Sequence, residues 1–374
     1  MEMFTHTLKE GKRLDLGIDL ANASGWPFGG PWVTPDDACK NINYKTYTLQ
    51  GGQKLAEKIE FTQTELVRPV GQRPDMTKLI DPISKNKDLQ LYAIDQIRFA
   101  KLLPLYTLMA YSDSGQIADL TNMVTPEKNL AWTAPPGNWT LYALFEGWHG
   151  KLAERAGPGG EGDVIDHFSG QVINNYLKHF DTIFKDYDVD NLRGYFNDSY
   201  EVDDASGQAN WTNDMLFEFY IRRGYDLAGY LPALFQKDNP EKNARVLSDY
   251  RQTISDLLLE KFTTHWTDWA HKQAKLTRNQ AHGSPGNILD LYAATDIPET
   301  EGSELTKLKF ASSAANVTGK FYASCEAATW LGEHFTSSLA DVKKAVNQFF
   351  LGGINHVFYH GTCFSPQNEP WPGF

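Results

Sequence analysis

The fold is decided by residues 274–301, which read AKLTRNQAHGSPGNILDLYAATDIPETE. Segments 274–280 and 294–298 are short runs typical of strands, and each is followed by a predicted helix. Polar side chains come directly after both strands. This alternation of strand and helix predicts an α/β protein with a parallel sheet.

The same alternation extends over most of the chain. Helices are predicted near 169–185, 248–273 and 339–351, and Gly352 and Gly353 end the last of them. Counting the strands that are followed by helices gives seven, at about 14–20, 141–146, 192–196, 274–280, 294–298, 321–325 and 355–360. Seven such units predict an incomplete (β/α)8 TIM-like barrel whose first strand is missing and would lie upstream of Met1.

Residues 44–148 follow a different pattern. Short alternating runs are separated by Gly, Pro, Asn and Asp, as in Pro135-Pro136-Gly137-Asn138. This pattern is typical of an all-β structure. We therefore predict a barrel domain made of 1–43 and 149–374, with an inserted β-rich module at 44–148.

Composition and charge exclude several classes of protein. The chain has 374 residues, of which 41% are hydrophobic, enough for a sizeable core. Lys and Arg total 35 and Asp and Glu total 47, so the formal net charge is −12 and nucleic acid is an unfavourable partner. No apolar run is long enough for a membrane span, and residues 1–10, MEMFTHTLKE, read as the middle of a helix rather than as a signal peptide. The three cysteines, Cys39, Cys325 and Cys363, are too scattered for a disulfide framework, and they leave the redox compartment open.

Acidic and polar side chains follow several of the predicted strands. They occur in Asn197–Glu201, Asn279–Gly283 and Pro298–Glu301, and at Glu326 and His360. Because the strands of a barrel end at one face, we expect these groups to converge there. Glycoside hydrolysis needs such a set, since one carboxyl group protonates the departing oxygen while an ionised one activates water or attacks the sugar. Clustered carboxylates also raise the pKa of at least one member, which supplies the acid.

Each acidic candidate also has a structural interpretation. Glu201 lies in an Asp/Asn-rich turn that could be a solvated loop or a helix cap, and Glu299 and Glu301 could be a pair at a helix N-terminus that the helix dipole favours. Glu326 is the best single candidate, because an unpaired carboxylate at the end of an apolar strand is costly. Glu333 follows in the same loop and could face either the cavity or the solvent.

Histidines and an oxygen-rich segment suggest binding roles. His149, His282 and His360 are interpreted as structural imidazoles or, because they lie at strand ends, as ligands of sugar hydroxyl groups. The histidine spacing indicates no zinc site. Segment 197–204 supplies many hard oxygens, which suit Ca²⁺ better than a transition metal, although the spacing is not that of an EF-hand. These oxygens come from Asn197, Asp198, Glu201, Asp203 and Asp204.

Four segments are long and rich in Trp, Gly and His. They read NASGWPFGGPWV at 22–33, QAHGSP at 280–285, DIPETE at 296–301 and GINHVFYHG at 353–361. These segments resemble the catalytic module of glycoside hydrolase family 106, the α-L-rhamnosidases, and the resemblance covers nearly the whole chain. It implies an incomplete (β/α)8 barrel, flanked in full-length members by β-sandwich domains that we expect to lie outside this chain.

The resemblance also implies an activity and a site. Family members remove terminal α-L-rhamnose from pectic or other plant polysaccharides and glycosides with inversion, they hold Ca²⁺ in the active site, and bacterial members are exported to the periplasm or cell surface. The resemblance implies that Glu201 is catalytic, most simply as the base, with Glu326 or Glu333 as the acid; the roles could be reversed. The expected metal ligands are Asn197, Asp198 and Glu301. The expected sugar-binding residues are Trp26, His149, His282, Glu299, Trp330 and His360.

Two other functions remain open from the sequence. The chain could be a carbohydrate-binding or catalytically inactive barrel, in which Trp26, Trp32, Trp148 and Trp330 hold sugar while the acids coordinate a cation. It could also be a barrel glycosidase with a different sugar specificity, because a fold does not settle its substrate.

Overall fold

The computed structural model describes residues 1–63, 101–157, 159–202, 209–328 and 336–361. The chain divides into two compact units. The first unit comprises Met1–Pro27, Leu177–Tyr200 and Thr263–Phe374, and the second comprises Phe28–Tyr176 and Glu201–Phe262. The predicted domains, 1–43 with 149–374 and 44–148, stay a prediction.

Strands are found in both units. Within the described residues they are β1 (Ile18–Ala21), β2 (Lys40–Gln50), β3 (Thr62–Gln63), β4 (Lys101–Leu102), β5 (Leu105–Ser112), β6 (Ile117–Asp119), β7 (Asn138–Trp148), β8 (Leu192–Asn197), β9 (Leu276–Gln280), β10 (Ile297–Thr300), β11 (Ser324–Ala327) and β12 (His356–Tyr359).

Helices connect most of the strands of the first unit. The described α-helices are α1 (Glu2–Arg13), α2 (Gly170–Phe184), α3 (Met215–Arg223), α4 (Leu231–Leu234), α5 (Pro240–Leu257), α6 (His265–Lys272), α7 (Ile288–Ala293), α8 (Leu305–Thr318) and α9 (Leu339–Leu351). A π-helical segment, Leu258–Thr264, joins α5 to α6. The helices predicted near 169–185, 248–273 and 339–351 are confirmed, and α1 confirms the helix predicted at residues 1–10.

The first unit is built on a six-stranded sheet in the order β1-β8-β9-β10-β11-β12. All five pairings are parallel, and each strand lies beside the next strand of the unit in the sequence. The sheet curls as half of a barrel. Six of the seven predicted barrel strands are therefore confirmed in their predicted order, as is the α/β class.

The prediction that 141–146 is a barrel strand is wrong. These residues lie in β7, which pairs antiparallel with β2 and β5 in the sheet β2-β7-β5-β6 of the second unit. Leu141 and Phe145 face one core of this sheet, and Tyr142 and Leu144 are buried as well. A strand buried on both faces reads as a continuous apolar run, which is also the signal of a parallel barrel strand.

The antiparallel sheet of the second unit has its own apolar core. β2 and β7 pair along their full length, from Lys40 opposite Trp148 to Gln50 opposite Asn138. The core includes Tyr47, Leu49, Leu108, Leu120, Trp139, Leu141 and Phe145, all nearly inaccessible to solvent. Burial of each large apolar side chain contributes roughly 1.5–3 kcal/mol. Within the described parts of 44–148, this sheet accounts for the alternating runs in β2, β5, β6 and β7.

Aromatic side chains pack the helices of the first unit against its sheet. Phe4 of α1 stacks on Phe184, and Phe184 stacks on Tyr195 of β8, with ring centroids 6.2 and 6.5 Å apart. Trp266 of α6 is fully buried, and its indole Nε1 donates to Asn22 Oδ1 at 2.9 Å. The buried indole is therefore satisfied, as large polar-tipped rings need to be.

Local signals set the two ends of α9. Ser338 and Asp341 form a capping box at its start. After α9, Gly353 takes a left-handed φ of 85°, a conformation that favours glycine. Within the described part of the chain, no helix is both long and apolar enough to cross a lipid bilayer.

Candidate active site

Acidic and amide side chains lie at the carboxyl ends of the parallel strands in the first unit. β9 is unusual among these strands, because Thr277, Arg278, Asn279 and Gln280 are consecutive polar residues and all four are buried. Buried polar groups are destabilising unless they have hydrogen-bond partners. The partners of the last three, Arg278, Asn279 and Gln280, therefore define the site, whereas Thr277 bonds to Asp296 near the amino end of the strand.

Arg278 lies at the centre of a buried ion-pair network. Its Nη1 donates to Glu299 Oε2, and its Nε donates to Asp19 Oδ2 at 3.0 Å. The guanidinium also lies 3.9 Å from the ring centroid of Phe196 and 3.6 Å from that of Phe358. Arg278 is therefore held by two carboxylates and two aromatic faces.

Asp19 of β1 is shared between two arginines. Arg193 Nε donates to Asp19 Oδ1 at 2.7 Å, and Arg193 Nη2 donates to Oδ2. Burial raises the pKa of Asp19, but the hydrogen bonds and charges of Arg193 and Arg278 outweigh burial and hold that pKa below its usual value. Asp19 is thus ionised at neutral pH.

Glu299 of β10 is fully buried, and both of its carboxylate oxygens accept hydrogen bonds from the protein. Oε2 accepts from Arg278 and from Ser324 Oγ at 2.6 Å, and Oε1 accepts from Gln280 Nε2 at 3.1 Å. These contacts favour an internal role for Glu299. Its predicted contact with sugar stays a prediction.

Glu326 of β11 lies at the exposed side of this network. Gln280 Nε2 donates to Glu326 Oε2 at 2.7 Å, and His360 Nε2 lies 3.9 Å from Glu326 Oε1. The side chain of Glu326 is 12% exposed, whereas that of His360 is 55% exposed. Glu326 therefore has a defined orientation and remains accessible to solvent.

Two further carboxylates of the same strand ends have pKa values displaced in opposite directions. The pKa of Asp198 is raised to about 7, first by burial and then by the negative charges of Glu326, Glu299 and Glu301. Glu301 Oε1 lies 3.0 Å from His282 Nε2, and this hydrogen bond is the main cause that holds the pKa of Glu301 below its usual value. At neutral pH this arrangement offers one carboxyl group able to donate a proton and another that is ionised.

Among the expected calcium ligands, Asn197 has a buried side-chain oxygen suited to a cation. Asn197 Nδ2 donates to Asn279 Oδ1 at 2.7 Å, while the buried Oδ1 of Asn197 accepts no hydrogen bond from the described residues. Such an oxygen suits a hard cation. However, no three His, Cys, Asp or Glu side chains in the described ranges come together as a metal site. The described residues thus offer one suitable oxygen but no complete site, so we derive no chemical step through Ca²⁺, and ligation by Asn197, Asp198 and Glu301 stays a prediction.

The other predicted residues fall in three places. Trp26 belongs to the first unit and is half-buried. Glu201 and His149 belong to the second unit, where Glu201 is half-buried and His149 is fully buried. Glu333 and Trp330, like Asp203 and Asp204, lie outside the described residues. The structure therefore brings Asp198, Glu299, Glu301 and Glu326 close enough for their charges to interact.

Asp19, Arg278 and Gln280 were missed as functional candidates in the sequence. One available signal was β9 itself, in which four consecutive polar residues lie within a segment predicted to be a strand. Another was Asp19, an acid inside the apolar run of residues 14–20. Polar residues in a strand that must be buried indicate a network with partners on neighbouring strands.

Known proteins resemble this chain along nearly all of its length. A protein of Formosa agariphila named "Putative beta-glucuronidase" is 26% identical over 394 residues, which cover 99% of this chain and 32% of that protein. The structure of a rhamnosidase from Novosphingobium sp. PP1Y superposes with a TM-score of 0.71 at 20% identity, over 96% of this chain and 49% of that one, and shows the shared fold. The chain thus spans about one third of the curated relative and about half of the solved one. The family model described as alpha-L-rhamnosidase matches residues 1–97 and 92–374. The predicted resemblance is confirmed, and the chain belongs to glycoside hydrolase family 106, the alpha-L-rhamnosidase family.

Proposed function

We propose that the protein is a glycoside hydrolase that releases terminal α-L-rhamnose from plant polysaccharides or glycosides with inversion. The observation that carries this proposal is the set of interacting carboxyl groups, Asp198, Glu301 and Glu326, at the carboxyl ends of parallel strands. Active sites of barrel enzymes lie at this end of the strands. Membership of the α-L-rhamnosidase family supports the same activity.

The proposed chemistry is a single displacement by water. The general base takes a proton from a water molecule while the oxygen of that water attacks the anomeric carbon. The general acid protonates the glycosidic oxygen while the bond between this oxygen and the anomeric carbon breaks. The proposed pair is Glu201 with either Glu326 or Glu333. The orientation of Glu326 by Gln280 supports Glu326. Inversion requires the two carboxyl groups to be roughly 6.5–9.5 Å apart, so that water fits between them.

A neutral sugar suits the first unit better than an acidic one. One relative is named as a β-glucuronidase, and a glucuronide carries a carboxylate. Glu301, whose pKa is held below its usual value, would repel that charge unless a cation accompanied it. Arg278 is already paired with Asp19 and Glu299. Terminal rhamnose carries no charge and offers hydroxyl groups as hydrogen-bond donors to carboxylates, which favours the rhamnoside.

The proposal is tested by assaying the intact protein with an aryl α-L-rhamnoside and an aryl β-glucuronide. We expect turnover of the rhamnoside, and proton NMR of the freshly released sugar should show the β-anomer first. Turnover of the glucuronide alone would overturn the proposed specificity. Absence of turnover on both substrates would favour a carbohydrate-binding protein.

Glu326→Gln tests the assigned carboxylate. We expect kcat to fall about 10²- to 10⁴-fold, because loss of a general acid or base has this effect. Glu304→Gln is the matched control, since Glu304 is exposed and lies 4.0 Å from Lys307. The control should keep the wild-type rate. Wild-type turnover by Glu326→Gln would remove Glu326 from the mechanism.

Four broader features belong to the same proposal. We propose that the six parallel strands belong to an incomplete (β/α)8 barrel with the β-rich module inserted, and that β-sandwich domains flank it in the full-length protein. The sequential order of the strands and the TM-score to the rhamnosidase support the barrel. Calcium in the active site and a periplasmic or cell-surface location are proposed from family membership.

A further inference from the structure

Gln280, the last residue of β9, bridges two carboxylates. Its side chain is fully buried, and its Nε2 donates to Glu299 Oε1 at 3.1 Å and to Glu326 Oε2 at 2.7 Å. A primary amide has two N–H groups, so each glutamate receives one of them. The position of Glu326 therefore depends on a donor that is itself fixed on a central strand of the sheet.

The neighbours of Gln280 permit one orientation of its amide. Rotation by 180° would turn Oε1 towards two carboxylates, which would remove both hydrogen bonds and place oxygen lone pairs against each other. In the observed orientation the buried Oε1 accepts no hydrogen bond from the described residues. Leaving a buried oxygen unpaired is destabilising, whereas Met would fill a similar volume without an unpaired group. Packing alone therefore does not explain a glutamine here.

The Glu299 end of the bridge is rigid. Glu299 Oε2 accepts hydrogen bonds from Arg278 and Ser324, and the guanidinium of Arg278 lies over the rings of Phe196 and Phe358. Glu299 is inaccessible to solvent, and the side chain of Arg278 is 9% exposed. At the other end, Glu326 lies on the accessible side, next to the exposed His360. Gln280 thus links a fixed ion pair to an accessible carboxylate.

We propose that Gln280 is a positioning residue, whose two N–H groups hold the Glu326 carboxylate at a fixed place relative to the buried Arg278–Glu299 pair. This inference rests on the proposed function, because it concerns the orientation in which Glu326 meets the sugar. Gln280 touches neither sugar nor water in this role. It acts through Glu326, by limiting the positions of the carboxylate to those that can react.

The first test is Gln280→Met in the intact protein, which removes both donors at similar volume. We expect kcat on the aryl α-L-rhamnoside to fall about 10²-fold, the effect of misplacing a reacting group by about 1 Å. KM should change less than about threefold, because the groups that contact the bound sugar remain. Thr277→Val is the matched control, since Thr277 is also fully buried in β9 but bonds to Asp296 near the amino end of the strand. The control should keep the wild-type kcat even if its Tm falls.

Gln280→Glu is the second test and serves if the methionine variant does not fold. The introduced acid faces Glu299, Glu326 and Arg278, with His360 beyond Glu326. When protonated it donates one hydrogen bond, and when ionised it donates none and repels both carboxylates. Its kcat relative to wild type should therefore be highest at acidic pH and fall as the pH rises, while circular dichroism shows a folded protein throughout.

The outcomes separate this inference from the proposed function. If Gln280→Met keeps kcat within threefold of Thr277→Val, or if the loss lies in KM, the positioning role is overturned while the function stands. A loss in Gln280→Glu that does not depend on pH has the same meaning. If the wild-type protein hydrolyses neither aryl glycoside, the proposed function fails, and the inference fails with it.

Discussion

Replacing Arg278 by Met should destabilise the protein by about 3–5 kcal/mol, the range found when one partner of a buried ion pair is removed. The structure shows which charge is left uncompensated. Asp19 keeps Arg193 as a partner, whereas the partners that Glu299 keeps among the described residues are the neutral donors Gln280 and Ser324. The expected loss is therefore that of one buried charge rather than two. Against a total stability of about 5–15 kcal/mol for a domain, the variant should be only marginally folded.

A double-mutant cycle isolates the ion pair from the lost packing. Glu299→Gln alone should also destabilise, because it leaves Arg278 with a single carboxylate. The double variant, Arg278→Met with Glu299→Gln, should be more stable than the sum of the single changes predicts, with a coupling free energy of about 2 kcal/mol or more. Urea unfolding at 25 °C, followed by circular dichroism and by tryptophan fluorescence, measures each free energy of unfolding.

Arg245→Met is the matched control for this cycle. Arg245 pairs with Glu241 on the exposed surface of α5, and both side chains are mostly accessible to solvent. Exposed pairs contribute roughly 0–1 kcal/mol, so this variant should remain close to wild type. A loss below about 1 kcal/mol for Arg278→Met, or strict additivity in the cycle, would show that the buried network does not support the sheet as argued.

The remaining predictions concern pH and cations. The pKa of Asp198, about 7, lies above its ordinary value of 3.8, so the stability contributed by its protonated form is complete below pH 4 and is lost as the pH rises through 7. In metal-free buffer Asp198→Asn should therefore raise the free energy of unfolding by about 2–4 kcal/mol relative to wild type at pH 8 and change it little at pH 4. Urea unfolding curves of both proteins at pH 4 and at pH 8 check this. A free-energy difference of the same size at the two pH values would contradict it. If Ca²⁺ binds at Asn197, Asp198 and Glu301, EDTA should lower activity on the aryl rhamnoside, and Ca²⁺ at 100 times its Kd should restore it and stabilise the fold by about 2.7 kcal/mol. Unchanged activity and an unchanged unfolding midpoint after chelation would argue against calcium.

The strands of the first unit could be predicted because their signals are local. A short run followed by a helical period and a Gly-rich stop can be recognised without knowing the rest of the fold, as for α9 and β12. The convergence of acids at strand ends could also be predicted, because parallel strands end at one edge. The error at 141–146 has the opposite cause, since burial on both faces gives the same pattern in parallel and antiparallel sheets.

The partners of the candidate site residues could not be predicted, because they depend on register. Glu299 lies opposite Gln280 on β9 and opposite Ser324 on β11. A shift of one residue in either pairing would turn these side chains to the other face and separate them. No local pattern specifies that register, so the sequence indicated which strand ends carry acids but not which amide and which arginine meet them. For the same reason, the sequence named Glu201, in the second unit, as a candidate catalytic residue but could not identify its partners.

The polar character of β9 has a practical consequence for engineering. Thermostability is commonly raised by combining several changes, such as cavity filling, helix capping and surface-charge substitutions. Here the same five-residue segment holds the buried ion pairs of the sheet and orients the proposed reactive acid, so an apolar replacement there should lower stability and turnover together. Thermostable variants are better sought around the tryptophan-lined interior of the antiparallel sheet, which holds none of these groups among its described members.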